Sequence, residues 1–149
     1  AVRDALDRDV AIGAGGSRLL RGNDPEHEAL EAEAAAFFGS EDALFFANGF
    51  AANSTLFAAL PSRHDLIVHD ALIHASVHDG MRLSFAEKRS AAHNDAQAFE
   101  DAITGWRAKG GKGQVWIAVE SLYSMDGDQA PIIALAEIAN RHEAFLVID

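Results

Sequence analysis

Short apolar runs alternate along this chain with longer segments whose apolar residues recur at helical spacing. The runs predict strands at residues 43–46, 66–68, 115–119 and 145–148, with a further strand around 89–92. Strands that alternate with helices form βαβ units and therefore a mainly parallel sheet. The runs are solidly apolar, which is typical of strands covered by helices on both faces. The sequence thus predicts an α/β fold of three layers (α/β/α).

The predicted helices carry start and stop signals. Asn23 or Asp24 can cap a helix that has Pro25 at its first position and ends at Gly39, and Asn94 predicts the cap of a later helix. Further helices are predicted at residues 1–10, after Asn48-Gly49, at about 74–83 and from Pro131. The apolar faces expected to be buried are formed by Leu30, Ala34, Phe37 and Phe38; by Asn53, Leu56, Phe57 and Leu60; by Phe99, Ala102, Ile103 and Trp106; and by Ile132, Leu135, Ala136 and Ala139.

Charge and composition exclude several classes of function. The chain has 149 residues and a formal net charge of −11, from 12 Lys and Arg against 23 Asp and Glu. Nucleic acids and anionic membranes are bound by clustered basic residues, so this balance argues against both partners. The absence of cysteine excludes disulfides, cysteine-ligated zinc and a cysteine nucleophile, and it fits a reducing compartment. No apolar run approaches the ~20 residues that span a bilayer, and we expect a cytoplasmic protein.

Polar residues with chemical uses follow four of the predicted strands. The stretch 48–50 (Asn-Gly-Phe) follows the first strand, His69 and Asp70 follow the second, residues 120–128 follow the third, and Asp149 follows the last. Ligands of open α/β sheets bind outside the carboxyl ends of the strands, so we expect a site at this shared edge.

Each of these features has a structural and a functional interpretation. Asn48 and Gly49 at a helix start suit an anion such as phosphate, but they also suit a plain helix cap, and Phe50 is expected in the core either way. His74 is either a capping residue on the surface, or an imidazole that stacks on a planar ligand or transfers a proton. Asp149 is either solvated at the strand end or requires a cationic partner, from Lys or Arg or from a protonated ring nitrogen of a cofactor.

Other chemistry is disfavoured. His74 and His78 lie one helical turn apart, as two metal ligands would, but Ala75 stands where the HExxH motif has its glutamate. The glycine-rich stretch 13–18 follows no strand, and residues 110–113 lack the Ser or Thr of a phosphate-binding P-loop. No G-x-S-x-G motif is present, which argues against an α/β-hydrolase. We therefore predict no metal site.

A set of motifs resembles one enzyme family. The stretches GAGGSRLLRGNDPEHEALE, FANGFAAN, HDALIHAS, HND, ESLYSMDGDQAP and FLVID occur in the order and at about the spacing seen in α-oxoamine synthases. These are pyridoxal 5′-phosphate (PLP) enzymes of the aspartate-aminotransferase fold, fold type I. The resemblance covers about residues 12–149, and the combination of YSMDGD, HAS and HND is specific to the family.

The resemblance implies roles for individual residues. Gly49 and Phe50 match the phosphate-binding turn, and His74 matches the histidine that stacks on the pyridine ring. Ser124 matches the serine beside the ring oxygen, and Asp149 matches the aspartate that pairs with the pyridinium nitrogen. The expected catalytic residues are His74 and Asp149, and the expected cofactor-binding residues are Asn48, Gly49, Phe50, His74, Ser124 and Asp149.

The chain departs from the family pattern at two points. Asn48 stands where serine or threonine is usual. The lysines of the chain are Lys88, Lys109 and Lys112, and none lies in the context of the lysine that bonds the cofactor, which the family carries downstream of Asp149. The chain also begins within a predicted helix and ends on a predicted strand. We therefore expect residues 1–149 to be an internal segment of the PLP-binding large domain, inactive on its own.

The resemblance implies the activity of the whole protein. Such enzymes condense an amino acid with an acyl thioester, with loss of CO₂, to give an α-amino ketone, and their active sites lie at the interface of a homodimer. In one subfamily the substrates are L-alanine and a pimeloyl thioester, as in biotin biosynthesis. An aminotransferase or lyase of the same fold, and a non-catalytic PLP-fold module, remain open.

Overall fold

The computed structural model describes residues 2–149 and divides into two compact units, residues 1–46 and 47–149. The second unit contains the sheet. Its strands are β1 Leu66–Asp70, β2 Glu87–Ala91, β3 Val115–Val119 and β4 Phe145–Ile148, and its helices are α3 Gly49–Ala59, α4 Ala75–Leu83, α5 Ala96–Ala108 and α6 Ile132–His142. The strand order is β2-β1-β3-β4, and every pair is parallel. The predicted parallel sheet is confirmed.

The central strands β1 and β3 are buried on both faces because alternate side chains pack into two separate cores. On one face Val68 and Ile117 join the inner residues of α5 and α6 in one apolar cluster. On the other face Ile67 and Trp116 pack with Phe57 of α3 and with residues of α4. The sheet therefore lies between two helical layers, which confirms the three-layer α/β/α architecture.

Helices α3 and α4 approach each other closely at Gly80. A Cβ atom at this position would lie 2.7 Å from the carbonyl oxygen of Ser54 and 2.9 Å from Cβ of Phe57. Glycine is required here because both obstructing atoms belong to the backbone or to the root of a side chain.

The Gly80→Ala substitution should destabilise the fold by about 1–3 kcal/mol, the usual cost of overpacking a well-packed interior. Gly105→Ala on α5 is the matched control, since its nearest neighbour is a flexible Arg89 nitrogen at 3.7 Å. That control should be neutral or stabilising, because alanine favours helix over glycine by about 1 kcal/mol. Urea unfolding of both variants measures the difference, and equal effects would contradict the close packing of α3 on α4.

The first unit contains α1 Val2–Asp7, a π-helical turn Arg18–Gly22 and α2 Pro25–Phe38. Arg18 joins the π-helical turn to α2, since its guanidinium binds the carboxylate of Glu31 at 2.5 and 2.9 Å and the side-chain oxygen of Asn23 at 2.8 Å. Glu31 also accepts the backbone N–H of Phe45 at 2.8 Å. These hydrogen bonds, led by the one from Arg18, lower the pKa of Glu31 to about 2.

Several predicted boundaries need correction. Residues 43–46 are not a strand, because none of the described residues pairs with this run and the Phe45 N–H is taken by a side chain. The helix predicted at residues 1–10 ends at Asp7, and Ala1 lies outside the described residues. The cap of α5 is Asp95, whose side chain accepts from the N–H groups of Gln97 and Ala98, and not Asn94.

Two predicted helix faces are also partly wrong. Leu30, Phe37 and Phe38 of α2 are exposed rather than buried, and so is Leu60 at the end of α3. The inner face predicted for α5 is confirmed, and that of α6 is confirmed except for Ala136, which is half-buried outside the apolar cluster; Ile138 is an additional buried residue. Asp24 caps α2 and Gly39 ends it with a left-handed φ of 66°, as the sequence predicted.

Candidate functional site

The carboxyl ends of β1, β3 and β4 bring three acidic residues to one edge of the sheet. Asp70 is the last residue of β1, Glu120 follows β3, and Asp149 follows β4. The strands are parallel and in register, so these residues end neighbouring strands on the same side. This is the edge at which open α/β sheets bind ligands.

Asp149 is held by backbone and side-chain contacts. Its N–H donates to the Val119 carbonyl at 2.9 Å, and its carbonyl accepts from the backbone N–H and the hydroxyl of Ser121 at 2.8 and 3.1 Å. Its carboxylate Oδ2 accepts from the Asn53 amide nitrogen at 2.7 Å. Among the described residues no Lys or Arg pairs with this carboxylate. The strand-end carboxylate is thus anchored in position at an exposed strand end, with an amide rather than a cationic side chain as its partner among the described residues.

His74 caps α4 with its ring. Nδ1 accepts the backbone N–H of Ser76 at 3.2 Å and lies 2.7 Å from the Ser76 hydroxyl oxygen. Ser76 is completely buried and its hydroxyl also accepts from the Asn53 amide at 3.0 Å. The structure therefore connects His74 to Asp149 through Ser76 and Asn53, two residues for which the sequence alone indicated no site role.

His74 and Ser124 line a common pocket of about 250 Å³, together with Glu120 and Tyr123. Burial, and then the negative charge of Asp149, raise the pKa of Glu120 above its ordinary value, while His74 acts in the opposite direction. The structure thus brings together His74, Ser124 and, through hydrogen bonds, Asp149. Glu120 is a further polar group of this pocket; it belongs to the predicted polar run 120–128, but no site role was predicted for it.

Asn48, Gly49 and Phe50 lie at the N-terminus of α3. Asn48 is the cap, and its side-chain oxygen accepts the N–H of Ala51 at 2.8 Å. Phe50 is 51% exposed, so its expected place in the core is wrong. Gly49 lies one turn before Asn53, about 6 Å along the helix axis. The anion-attracting end of α3 is therefore about one helical turn from the residue that binds the Asp149 carboxylate.

A second polar cluster is centred on His93, which packs against Tyr123 of this pocket. Its Nδ1 bonds Asp70 at 2.7 Å, its Nε2 bonds Asp128 at 2.9 Å, and its ring packs edge-on against Tyr123 at 4.6 Å. Asp70 has no exposed surface and also accepts the N–H groups of Leu72 and Asn94. The HND motif at residues 93–95 was the available signal for this cluster. The cluster fastens the 121–129 loop, which carries Ser124, to β1.

The fold should lose stability with rising pH through His93. Hydrogen bonds to Asp70, then to Asp128, raise the pKa of His93. Its bound proton stabilises the fold fully below the ordinary histidine pKa of about 6.5, and that stabilisation is lost as pH rises through the higher folded value. We expect His93→Gln to cost more unfolding free energy at about pH 6 than at about pH 9, as measured in urea.

The matched control for this pH dependence is His64→Gln, because His64 is exposed and its ring is not held between carboxylates of the described residues. His64→Gln should change the free energy of unfolding only slightly at both pH values. An equal cost of His93→Gln at the two pH values would contradict a proton held between Asp70 and Asp128.

The histidines near α4 do not converge. His74 turns to Ser76, whereas His78 packs edge-on against His69 at 5.1 Å between ring centroids. Among residues 2–149 no group of three or more His, Cys, Asp and Glu could hold a metal ion. In the same range no helix is long and apolar enough to cross a membrane.

Polar groups gathered at the carboxyl ends of a parallel, helix-covered sheet define a ligand-binding α/β domain. The chain belongs to the aminotransferase class I and II family, whose model matches residues 1–149. It is 41% identical over 150 residues to 8-amino-7-oxononanoate synthase of Granulibacter bethesdensis, which covers 99% of this chain. Further synthases of that name match at 41% and 44% identity. The resemblance to α-oxoamine synthases is confirmed.

Solved structures of related enzymes support this family assignment. The chain superposes on serine palmitoyltransferase of Sphingomonas wittichii with a TM-score of 0.90 at 32% identity, over 99% of this chain and 36% of that one. The K265A variant of serine palmitoyltransferase of S. paucimobilis, solved with a bound PLP–myriocin aldimine, gives a TM-score of 0.84 at 28% identity, over 99% of this chain and 37% of that one. The chain spans about 39% of the length of the Granulibacter synthase.

Proposed function

We propose that this segment forms the ring-binding and phosphate-binding part of a PLP site. The observation that carries the proposal is the anchored Asp149 carboxylate, which has an amide but no cationic side chain as its partner among the described residues. A protonated ring nitrogen is the partner that such a carboxylate fits. The PLP that is bound in the S. paucimobilis structure supports the same ligand.

Each site residue has a physical role in this proposal. Asp149 favours a protonated pyridine nitrogen, and His74 would contact the face of the ring or hold a proton near it. Ser124 lines the same pocket and can donate a hydrogen bond to a ring oxygen. The first turn of α3, with Asn48, Gly49 and Phe50, offers free N–H groups and a positive dipole end to a phosphate. Bound PLP supplies an electron sink for negative charge at the α-carbon of an amino acid.

The lysines of the chain do not belong to this pocket. Lys88 lies on β2 with its ammonium 2.5 Å from the Ser84 carbonyl, Lys109 ends α5, and Lys112 precedes β3. None of them lines the pocket of His74 and Ser124. We therefore propose that residues 1–149 are the central part of the large domain of a longer enzyme, and that the lysine that bonds PLP lies downstream of Asp149.

For that enzyme we propose decarboxylative condensation of an amino acid with an acyl thioester. The similarity to 8-amino-7-oxononanoate synthases favours L-alanine and pimeloyl-CoA or a pimeloyl carrier protein, as in biotin biosynthesis. The high structural similarity to serine palmitoyltransferase favours, as the second candidate, another synthase of the same reaction class, such as 2-amino-3-ketobutyrate CoA ligase or one that uses serine. We further propose a cytoplasmic homodimer with the active site at its interface.

Cofactor content of the purified full-length protein tests the site. A protein that binds PLP should be yellow, and removing the cofactor should abolish the colour and the activity together. Readdition of PLP should restore both, whereas readdition to the Asp149→Ala variant should restore neither. A colourless protein that contains stoichiometric zinc instead would contradict the proposal.

A further inference from the structure

One hydrogen-bonded path runs from Asp149 to His74. The Asn53 amide nitrogen lies 2.7 Å from Asp149 Oδ2 and 3.0 Å from the Ser76 hydroxyl oxygen, and that oxygen lies 2.7 Å from His74 Nδ1. The path crosses three elements, because Asn53 is on α3, Ser76 is on α4, and Asp149 follows β4. It joins the two residues expected to contact the PLP ring.

The direction of every hydrogen bond in this path is determined. A carboxylate only accepts, so the Asn53 nitrogen donates one hydrogen to Asp149 and its second hydrogen to Ser76. The Ser76 hydroxyl has a single hydrogen, which is then left for His74 Nδ1. Nδ1 also faces the Ser76 backbone N–H at 3.2 Å, which can only donate. Nδ1 therefore accepts twice, and the proton of the neutral imidazole belongs on Nε2.

Burial makes this arrangement costly to change. Ser76 has no exposed surface, so no solvent can replace a hydrogen bond that its hydroxyl loses. Turning the Asn53 amide over would place its oxygen against the Asp149 carboxylate and leave the Ser76 hydroxyl without its donor. The network thus has one favourable arrangement, and it does not need a ligand to form.

We propose that Asn53 and Ser76 are positioning residues that couple Asp149 to His74. They hold the Asp149 carboxylate in one orientation and keep His74 as the Nε2–H tautomer, so that the remaining ring nitrogen of His74 offers a hydrogen-bond donor to the ligand. A donor at this position matches an anionic group of a bound amino acid. The part of this inference that concerns PLP and its substrate rests on the proposed function, whereas the tautomer of His74 does not.

The tautomer is tested in the full-length protein without cofactor. With ¹⁵N-labelled histidine, NMR distinguishes a protonated from an unprotonated ring nitrogen, and the His74→Gln variant identifies the signal. We expect the neutral His74 ring to carry its proton on Nε2. A proton on Nδ1 would overturn the proposal, whether or not the protein binds PLP, and a protein that binds no PLP would refute the proposed function alone.

Coupling is tested by the dissociation constant of PLP. Asn53→Leu should weaken PLP binding about tenfold and Ser76→Ala about threefold, because hydrogen bonds linked to a charged group are lost. The double variant should bind like Asn53→Leu alone, since residues of one network are not additive. Ser54→Ala is the matched control, removing a neighbouring hydroxyl outside the path, and should change binding less than about twofold.

Two outcomes of this double-mutant cycle would contradict the coupling between Asn53 and Ser76. A double variant weakened by the product of the two single effects would show that Asn53 and Ser76 act independently. An effect of Ser54→Ala as large as that of Ser76→Ala would assign the loss to general packing of α3 on α4. Thermal unfolding of each variant identifies any that fail to fold. If Asn53→Leu fails to fold, the PLP affinity of Ser76→Ala and the tautomer of His74 in the unsubstituted protein still test the coupling.

Discussion

Asp149→Asn in the full-length protein should reduce turnover by roughly a hundredfold or more, the range lost when a group that stabilises developing charge is removed. The substitution preserves shape, and the new side-chain oxygen can still accept from Asn53, so the hydrogen bond at 2.7 Å has a replacement. What disappears is the negative charge that favours a protonated ring nitrogen. Steady-state kinetics with saturating PLP and substrates measures the effect.

The control for this substitution is Asp79→Asn, which neutralises a carboxylate on α4 that pairs with Arg82 on the surface. Its turnover should match that of the unsubstituted protein. Near-normal turnover of Asp149→Asn would show that the carboxylate does not serve the ring nitrogen.

Asp70→Asn should destabilise the fold by about 3–5 kcal/mol, the usual cost of breaking a buried charged network on one side. Asp70 is completely buried and accepts from the N–H groups of Leu72 and Asn94 and from His93. An asparagine side chain has an NH₂ group where these donors need an acceptor. One donor would therefore be left buried and unpaired.

The matched control for Asp70→Asn is Asp126→Asn, an exposed aspartate of the loop that the His93 cluster fastens. Urea unfolding should show a change within about 0.5 kcal/mol for this surface substitution. A cost of Asp70→Asn as small as that of Asp126→Asn would mean that Asp70 does not hold the loop against β1.

The parallel sheet could be predicted from the sequence because burial on both faces gives β3 and the first three residues of β1 an unbroken apolar pattern. The run at residues 43–46 has the same pattern. A strand also needs a neighbouring strand to pair with, and a local apolar pattern does not show whether one is present. Asn94 and Asp95 are both good helix caps, so the choice between them depends on tertiary contacts. Asn94 instead donates to Asp128 at 2.8 Å, from a left-handed backbone conformation with φ 55°.

The candidate site was predicted in part. The strand-edge rule predicted that residues 120–128 and Asp149 lie at one edge of the sheet, whereas the cofactor roles of His74, Ser124 and Asp149 came from the family resemblance. Asn53 was assigned only to an inner helix face, and its bond to Asp149 joins residues 96 positions apart. Contacts of that separation depend on how α3 packs against the sheet, which no local pattern encodes. The role of His93 depends in the same way on Asp70 and Asp128, which are distant in the chain.

The most direct test of the account is product stoichiometry in the full-length, PLP-loaded protein. L-alanine alone should give little net turnover, and adding pimeloyl-CoA should release CO₂ and free thiol in equal amounts. An aminotransferase would instead require a keto acid and release no thiol. Turnover with a keto acid, combined with no thiol or CO₂ from any acyl thioester, would contradict the proposed condensation.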